Sequence, residues 1–242
     1  RFTSSKNGVK ASVLSFVPLN DNCEISQLTL TNGSSEDKKL SVFSYVEWCL
    51  WNADDDMKNF QRNLSTGEVE VQDSTIYHKT EYRERRNHYA IYSVNTKIDG
   101  FDTSRDAFLG AYRGADSPEA VENGKCTNSM ASGWSPIASH QINVDLAAGE
   151  TKTFIFVLGY IENPEDEKWE SYGVINKTRA KEMLAKYQTD TQVEDAFAAL
   201  QAYWKQLLAR YTVASADEKV NRMVNTWNQY QCMVTFNMSR SA

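Results

Sequence analysis

Several residue types that characterise membrane, metal-binding or disulfide-stabilised proteins are scarce in this sequence. Its 242 residues include only three His, four Cys and four Pro. No apolar run approaches the roughly 18 residues that a membrane-spanning helix requires, so we expect no membrane partner. Residues 1–10 contain no apolar segment typical of a signal peptide, and no initiator Met precedes them. We interpret this start as an internal cut in a longer protein.

The cysteines argue against both disulfides and a metal site. They are scattered, form no CxxC pair and show no metal-ligand spacing with His; their positions are Cys23, Cys49, Cys126 and Cys232. This pattern favours buried, reduced thiols in a cytoplasmic protein. The four N-x-[ST] triplets, which begin at Asn32, Asn63, Asn176 and Asn237, are then chance matches rather than glycosylation sites.

The charge of the chain excludes another class of partner. The net charge is −6, and acidic and basic residues are interleaved. A nucleic-acid-binding protein needs a cationic surface to neutralise phosphates, so we expect no nucleic acid partner. Hydrophobic residues at 41% and charged residues at 24% are ordinary for a folded domain. A chain of this length buries roughly 70% of its unfolded surface and does not need disulfides or metals to fold.

From Lys10 to Ile161 the sequence has the period-two pattern of β-strands, and turn-forming clusters separate the runs. Because no helical crossovers intervene, the pattern favours an antiparallel β-sandwich. The stretch Phe101–Ser132 is rich in Gly, Asp and Ser and is predicted to be a long irregular loop with a functional role. Strands are predicted at Ser12–Pro18, Ile25–Thr31, Leu40–Leu50, Glu68–Gln72, Thr75–Lys79, Tyr89–Asn95, His140–Leu146 and Thr153–Tyr160.

After Asn163-Pro164 the pattern becomes helical. Asn163 suits an N-cap, Pro164 suits a first turn, and acidic residues follow. One predicted face contains Ala180, Met183, Leu184 and Tyr187. A second helix is predicted to begin at a capping box, Thr191-Gln192-Val193-Glu194, with an apolar stripe of Val193, Phe197, Leu200, Trp204, Leu207 and Tyr211. A third is predicted to begin at the box Ser215-Ala216-Asp217-Glu218 and to run towards Arg240 with no stop signal.

Few residues stand out as catalytic. His78, His88 and His140 have no metal or nucleophile–base spacing, so we interpret them as structural. The triplet Asp54-Asp55-Asp56 is compatible with a cation site but is more typical of a solvated loop. The run Glu81–Arg86 mixes both charges, as a solvent-facing turn or an ion-pair network does, although a catalytic role stays open.

The segment Asn59-Phe60-Gln61-Arg62-Asn63 has the composition of a sugar site. It follows the aromatic stretch Trp48–Trp51, and amide and guanidinium groups beside indole faces suit sugar hydroxyls and rings. Aromatic residues also fill β-sheet cores, so a purely structural role is the alternative. No pair of carboxylates can be identified as general acid and base.

Long strings of the sequence resemble the inverting disaccharide phosphorylases of glycoside hydrolase family 94. Within that family they resemble the cellobiose phosphorylases more than those that act on chitobiose or cellodextrins. The resemblance covers essentially the whole chain. The strings are Phe16–Leu19, Phe43–Glu47, Asn59–Asn63, Ser65–Glu70, Tyr77–His88, Lys97–Asp102, Ala131–Ile137 and Trp227–Cys232.

The resemblance implies an architecture in which a β-sandwich, linker helices and an (α/α)₆ barrel follow one another. We therefore predict a mainly β chain: a sandwich over residues 1–163 that lacks its first strands, linker helices over 164–214, and the first barrel helix over 215–242. The family's catalytic Asp lies beyond this chain. No catalytic residue is assigned here, and the isolated chain is predicted to be inactive.

The implied reaction converts cellobiose and phosphate to α-glucose 1-phosphate and glucose. By the resemblance Gln61 and Arg62 contact the sugar, with Asn63 as a weaker substrate-binding candidate. No cofactor and no metal are expected, since inorganic phosphate is a substrate. The expected partners are the sugars, the rest of the enzyme and a second copy in a homodimer. The alternative is a non-catalytic carbohydrate-binding or interaction module.

Overall fold

The computed structural model describes residues 1–48, 67–80, 87–131, 133 and 135–238. The chain forms two compact units, Arg1–Val193 and Glu194–Ala242. The strands are β1 (Phe2–Lys6), β2 (Val9–Phe16), β3 (Cys23–Asn32), β4 (Lys38–Phe43), β5 (Val46–Glu47), β6 (Gly67–Gln72), β7 (Thr75–Thr80), β8 (His88–Val94), β9 (Gly100–Ser104), β10 (Pro136–Leu146), β11 (Thr151–Glu162), β12 (Trp169–Ser171) and β13 (Val174–Ile175).

Short helices follow or interrupt the strands. The α-helices are α1 (Arg105–Leu109), α2 (Glu119–Glu122), α3 (Thr178–Leu184), α4 (Asp190–Leu208), α5 (Glu218–Arg222) and α6 (Gln229–Met238). Single 3₁₀ turns lie at Glu165–Glu167 and Ala185–Tyr187, and a π-helical segment, Met223–Asn228, joins α5 to α6.

Two antiparallel sheets form the body of the first unit. The larger has seven strands in the order β1-β2-β3-β11-β8-β7-β6, and the smaller places β10 beside β4, β5 and β9. The described residues form no closed barrel. The predicted mainly β fold, with antiparallel sheets followed by C-terminal helices, is confirmed.

The core lies between the two sheets. In β11 alternate side chains, Phe154, Phe156 and Leu158, pack with Ile142 and Leu146 of β10. Burial of each such apolar side chain stabilises the fold by about 1.5–3 kcal/mol. The opposite face of the large sheet is also covered, since a Cβ at Gly159 of β11 would collide with Met183 of α3. Every residue of β8 is therefore buried.

A cluster of buried charges fixes the hairpin β12–β13 to the edge of the large sheet. The Glu70 carboxylate of β6 lies 2.6 Å from the Lys177 ammonium and 3.0 Å from that of Lys79, and these two lysine side chains are only 4% and 6% exposed. Glu70 also accepts the backbone N–H of Ile175 at 3.0 Å. Burial alone would raise the Glu70 pKa, but these hydrogen bonds outweigh it and hold that pKa below its ordinary value.

The helical prediction after Pro164 is wrong for its first part. Only a 3₁₀ turn follows Pro164, and the hairpin β12–β13 comes before α3. Asn163 does not cap a helix; its buried amide donates to the carbonyl of Asn176 at 3.0 Å and so joins the two ends of the hairpin segment. The predicted apolar face is confirmed, because Ala180, Met183, Leu184 and Tyr187 are all buried.

Both predicted capping boxes lie at the wrong residues. At α4 the Gln192 N–H donates to the Thr189 hydroxyl at 3.3 Å and the Gln192 side chain accepts the Thr189 N–H at 3.0 Å, two residues before the predicted box. At α5 the cap is Asp217, which accepts the Lys219 N–H at 2.8 Å.

The predicted irregular loop Phe101–Ser132 is partly regular. It contains most of β9, and α1 and α2 lie within it. Its far end is fixed by Asp102, which is fully buried and accepts the hydroxyls of Thr127 and Ser129, each at 2.7 Å. The short strands β1, β12 and β13 were also not predicted. Polar residues make up most of β1, and β12 and β13 are three and two residues long.

The second unit contains the rest of α4, followed by α5, the π-helical segment and α6. The Asn225 side chain donates to the Val213 carbonyl at 2.8 Å and accepts the Val213 N–H at 2.7 Å. The stripe predicted on α4 is only partly covered, since Leu207 is 36% exposed and Tyr211 beyond it is 61% exposed. The predicted third helix is interrupted by the π-helical segment, which its sequence pattern does not reveal.

Candidate functional site

The topology brings three connecting segments to one end of the sandwich. β5 ends at Glu47 and pairs with the first residues of β10, which follow the segment 132–135. β6 begins at Gly67 and pairs with Thr80, the last residue of β7. The segments 49–66, 81–86 and 132–135 therefore all join the sheets at this end, which we call the loop end.

The predicted substrate-binding residues belong to one of these segments. Gln61, Arg62 and Asn63 lie outside the described residues, as do Cys49, Asp54-Asp55-Asp56 and Glu81–Arg86. Their roles stay predictions. The described residues on either side of the segment 49–66 are Trp48 and Gly67. The contacts of Trp48 show how the start of this segment is held.

A stacked pair of rings joins the two sheets at the loop end. The indole of Trp48 lies against the imidazole of His78 in β7, with ring centroids 5.4 Å apart and planes 17° apart. Trp48 is 8% and His78 is 3% exposed. Trp48, the last described residue before the segment 49–66, is thus held by the large sheet rather than by solvent-exposed contacts.

The three histidines lie in the core, as a structural interpretation requires. His78, His88 and His140 are all at most 3% exposed. Burial lowers the pKa of His78 to about 3, with a smaller contribution from His88, and burial lowers the pKa of His140 to about 3. Both stay neutral at neutral pH. Among the described residues no cluster of His, Cys, Asp or Glu is arranged to bind a metal.

A charged triad that the sequence analysis missed fixes the last residue of β5. Glu47 accepts the Arg105 guanidinium N–H at 3.0 Å and the Tyr45 hydroxyl at 2.5 Å. Burial and the hydrogen bond to Glu47 raise the pKa of Tyr45, and Glu47 raises that of Arg105. Arg105 and Glu47 are 58 residues apart in sequence, so no local pattern could have revealed the pair. Glu47 is therefore held in place by two hydrogen-bond donors from separate parts of the chain.

The free thiols differ in exposure. Among the described residues Cys23 and Cys126 are buried, whereas Cys232 is exposed, so the prediction of buried thiols is wrong for Cys232. Burial raises the pKa of Cys23 and of Cys126 to about 12, and nearby Asp21 and Asp102 add to the respective shifts. These two thiols are therefore unsuited to nucleophilic chemistry. No helix in the described part of the chain has the length and apolar content to cross a membrane.

Comparison with known protein families gives two matches along the chain. Residues 1–190 match the family model described as "Glycosyl hydrolase 94, supersandwich domain". Residues 203–242 match the model "Glycosyl hydrolase 94 superfamily, catalytic domain". The chain belongs to glycosyl hydrolase family 94. The predicted domain boundaries at 163 and 214 stay predictions.

The relatives of this family 94 chain include disaccharide phosphorylases. The N,N'-diacetylchitobiose phosphorylase of Vibrio furnissii is 28% identical over the whole chain, which spans 28% of that protein. The solabiose phosphorylase of Paenibacillus borealis is 26% identical over the whole chain, which spans 30% of it. A solved α-mannosidase of family GH92 from Bacteroides thetaiotaomicron aligns over 92% of this chain and 25% of its own, at 19% identity and a TM-score of 0.45, too distant to bear on function.

Proposed function

We propose that this chain is part of an inverting disaccharide phosphorylase that converts cellobiose and inorganic phosphate to α-glucose 1-phosphate and glucose. The observation that carries the proposal is the family 94 match over residues 1–190 and 203–242. The named relatives are a chitobiose and a solabiose phosphorylase, so the phosphorolytic class rests on the relatives. The choice of cellobiose rests on the sequence strings alone.

The proposed chemistry needs one proton donor. A phosphate oxygen attacks the anomeric carbon, the bond from that carbon to the bridging oxygen breaks, and a carboxylic acid protonates the departing oxygen. In an inverting glycosidase a second carboxylate activates water, but a phosphate dianion is already nucleophilic and does not need that base. Inversion turns the β-linkage into the α-phosphate. No cofactor or metal takes part.

The contribution of this chain is to hold substrate rather than to transfer protons. We place Gln61 and Arg62, with Asn63 as a weaker candidate, at the sugar hydroxyls. The anchoring at the loop end supports this, because Trp48 is stacked on His78 and Glu47 is fixed by Arg105. A binding segment that starts from a rigid scaffold loses less conformational entropy when it orders around a substrate.

The proposal includes the assembly and the compartment. We place the enzyme in the cytoplasm and propose that it is a homodimer. Exposed apolar side chains of the second unit support association, since Trp227 is 55% and Phe236 61% exposed. Light scattering at micromolar concentrations tests this, and a strictly monomeric species would contradict it.

The deciding experiment assays the full-length enzyme that contains this chain. Cellobiose, N,N'-diacetylchitobiose and solabiose are each incubated with phosphate, and the sugar phosphate is identified by ³¹P and ¹H NMR. We expect the α-anomer of glucose 1-phosphate from cellobiose. If only another disaccharide gave product, that disaccharide would replace cellobiose as the proposed substrate. A β-anomer of the sugar phosphate would contradict inversion. No phosphorolysis of any of the three would favour the non-catalytic carbohydrate-binding alternative.

A further inference from the structure

Three Asn-Gly pairs occur in the sequence, at Asn7-Gly8, Asn32-Gly33 and Asn123-Gly124. Glycine has no side chain to shield its backbone nitrogen, so in such a pair this nitrogen reaches the side-chain carbonyl carbon of the preceding Asn more readily than in any other pair. The structure places the three pairs in very different surroundings. Their reactivity should therefore be set by the fold rather than by the shared dipeptide.

Asn7 and Gly8 form the exposed two-residue turn of the hairpin β1–β2. Lys6 pairs with Val9 across this turn, and the φ angles of Asn7 and Gly8 are 51° and 80°, as in a type I′ turn. Within the described residues the Asn7 side chain has no hydrogen-bond partner. β1 lies at the edge of the large sheet, and all five of its residues are exposed. A turn with so few buried contacts opens at little cost in free energy.

Asn32-Gly33 is held in the opposite way. Asn32 is fully buried. Its amide nitrogen donates to the Glu36 carbonyl at 2.8 Å, and its amide oxygen accepts the N–H and the hydroxyl of Ser34 at 3.0 and 2.7 Å. The Gly33 nitrogen is also engaged, since its N–H donates to the Gly8 carbonyl at 2.8 Å. Any reaction between this nitrogen and the Asn32 amide must first break all of these bonds.

Asn123-Gly124 is an intermediate case at the end of α2. Both residues are exposed. The Asn123 N–H donates to the Glu119 carbonyl at 2.9 Å, and the Gly124 N–H donates to the Val121 carbonyl at 3.1 Å. The nitrogen of Gly124 is therefore held by the last turn of a short helix, which must fray before the nitrogen becomes available.

We propose that Asn7 is a site of spontaneous deamidation, with water as the co-reactant, and that the fold protects Asn32 from the same reaction. The Gly8 nitrogen attacks the side-chain carbonyl carbon of Asn7 and forms a new C–N bond. The bond from that carbon to the amide nitrogen breaks, and ammonia leaves with the proton of the Gly8 N–H. Water then opens the resulting succinimide at either of its carbonyls and leaves aspartate or isoaspartate. No electrons are gained or lost.

The isoaspartate product changes the hairpin. Its backbone runs through the former side chain of Asn7, so the turn gains one methylene group and no longer matches the pairing of Lys6 with Val9. β1 is therefore expected to loosen from β2 as the protein ages. This proposal depends on the hairpin alone and is independent of the proposed phosphorolysis.

The test stores the 242-residue chain at mildly alkaline pH, both native and unfolded in urea, and follows it by peptide mapping with mass spectrometry. Each event replaces an amide with a carboxyl group and so raises the mass of one peptide. In the native chain Asn7 should react at least about tenfold faster than Asn32, with Asn123 between them. In urea the three rates should agree within about threefold, because the protection by the fold is lost.

Asn7→Gly is the matched variant. It removes the reactive amide, and glycine suits the positive φ at this position, so the hairpin should form normally. The fast mass gain should disappear, while the rates at Asn32 and Asn123 stay unchanged. A fast gain that persisted in this variant would place the reactive residue elsewhere and contradict the assignment.

Two further results would overturn the proposal. One is a native chain in which Asn7 reacts no faster than Asn32. The other is an order of rates that urea leaves unchanged, since local sequence rather than the fold would then set it. Hydrogen exchange tests the consequence for the hairpin. The β1 amides of the isoaspartate form should exchange faster than those of fresh Asn7→Gly protein, and equal exchange would contradict the loosening of β1.

Discussion

The imidazole of His78 lies flat against the indole of Trp48, with the ring centroids 5.4 Å apart. Trp48 directly follows β5 of the small sheet, His78 lies in β7 of the large sheet, and both are at least nine-tenths buried. This contact joins the residue after β5 to the large sheet. The contact also places the titratable imidazole of His78 where a charge cannot be solvated. The stability of the fold should therefore depend on pH.

Acid should destabilise the chain in part through His78. The His78 pKa is lowered from its ordinary value of 6.5 to about 3 in the fold. Between these values the unfolded chain binds a proton that the native chain does not, so stability is full above pH 6.5 and falls as pH decreases towards 3. The loss is about 1 kcal/mol per pH unit. Urea unfolding at pH 7, 6 and 5 measures it.

The control for this prediction is His78→Phe, which keeps an aromatic ring beside Trp48. We expect the stability of the variant to depend less steeply on pH than that of the wild-type chain. Other groups titrate equally in both proteins, so the difference between the two slopes isolates His78. Equal slopes would show that His78 accepts a proton in the native state.

Two glutamates of β6 provide a matched test of the buried charge cluster. Glu68 and Glu70 both lie 3.0 Å from the Lys79 ammonium, but their side chains are 68% and 18% exposed. Glu70→Gln leaves two buried ammonium groups without their shared carboxylate and should destabilise the chain by about 3 kcal/mol. Glu68→Gln should change stability by less than about 1 kcal/mol. Thermal and urea unfolding check both, and equal effects would contradict a burial-dependent role.

The cluster also shows why the sequence predicted the strands better than their surroundings. The apolar run of β11 and the aromatic and β-branched residues of β8 are local, so they indicate strands and a core without knowledge of the fold. Glu70 and Lys177 are 107 positions apart, and nothing in either neighbourhood indicates that they meet. The hairpin β12–β13 depends on such a non-local contact, and its strands are too short to show a period.

The candidate site also has one part that the sequence reveals and one part that depends on non-local contacts. The sugar-binding composition of the segment 59–63 could be read from the sequence because its residues are contiguous. The contact of Glu47 with Arg105 could not be predicted, because the two residues are 58 positions apart. It depends on the pairing of β10 with β5 and with β9, the strand that precedes Arg105.

The start of α4 offers a direct comparison of a sequence prediction with the structure. The sequence predicts the capping box at Thr191, whereas the hydrogen bonds place it at Thr189 and Gln192. Thr189→Ala should lower the free energy of unfolding by about 1 kcal/mol. Thr191→Ala, the same change two residues later, should have little effect because Ala suits the helix interior. The reverse order of effects in urea unfolding would restore the original prediction.

The prediction with the greatest functional weight concerns Arg62. In the full-length enzyme we expect its planar guanidinium to donate to glucosyl hydroxyls, with Gln61 beside it. Ring distortion at the transition state strengthens such contacts, so Arg62→Ala should lower kcat/KM for cellobiose by roughly tenfold to a thousandfold, about 1.4–4 kcal/mol. Arg62→Lys should restore little, since a compact ammonium cannot reproduce a planar fork.

Two measurements decide whether Arg62 acts on substrate or on the fold. Thermal unfolding of Arg62→Ala should match the wild type, because a side chain that acts on substrate contributes little to the stability of the free chain. The pH profile of kcat should keep its shape, since Arg62 transfers no proton. If Arg62→Ala retained wild-type kcat/KM, or lost activity only through unfolding, the assignment of Arg62 to the sugar site would fail.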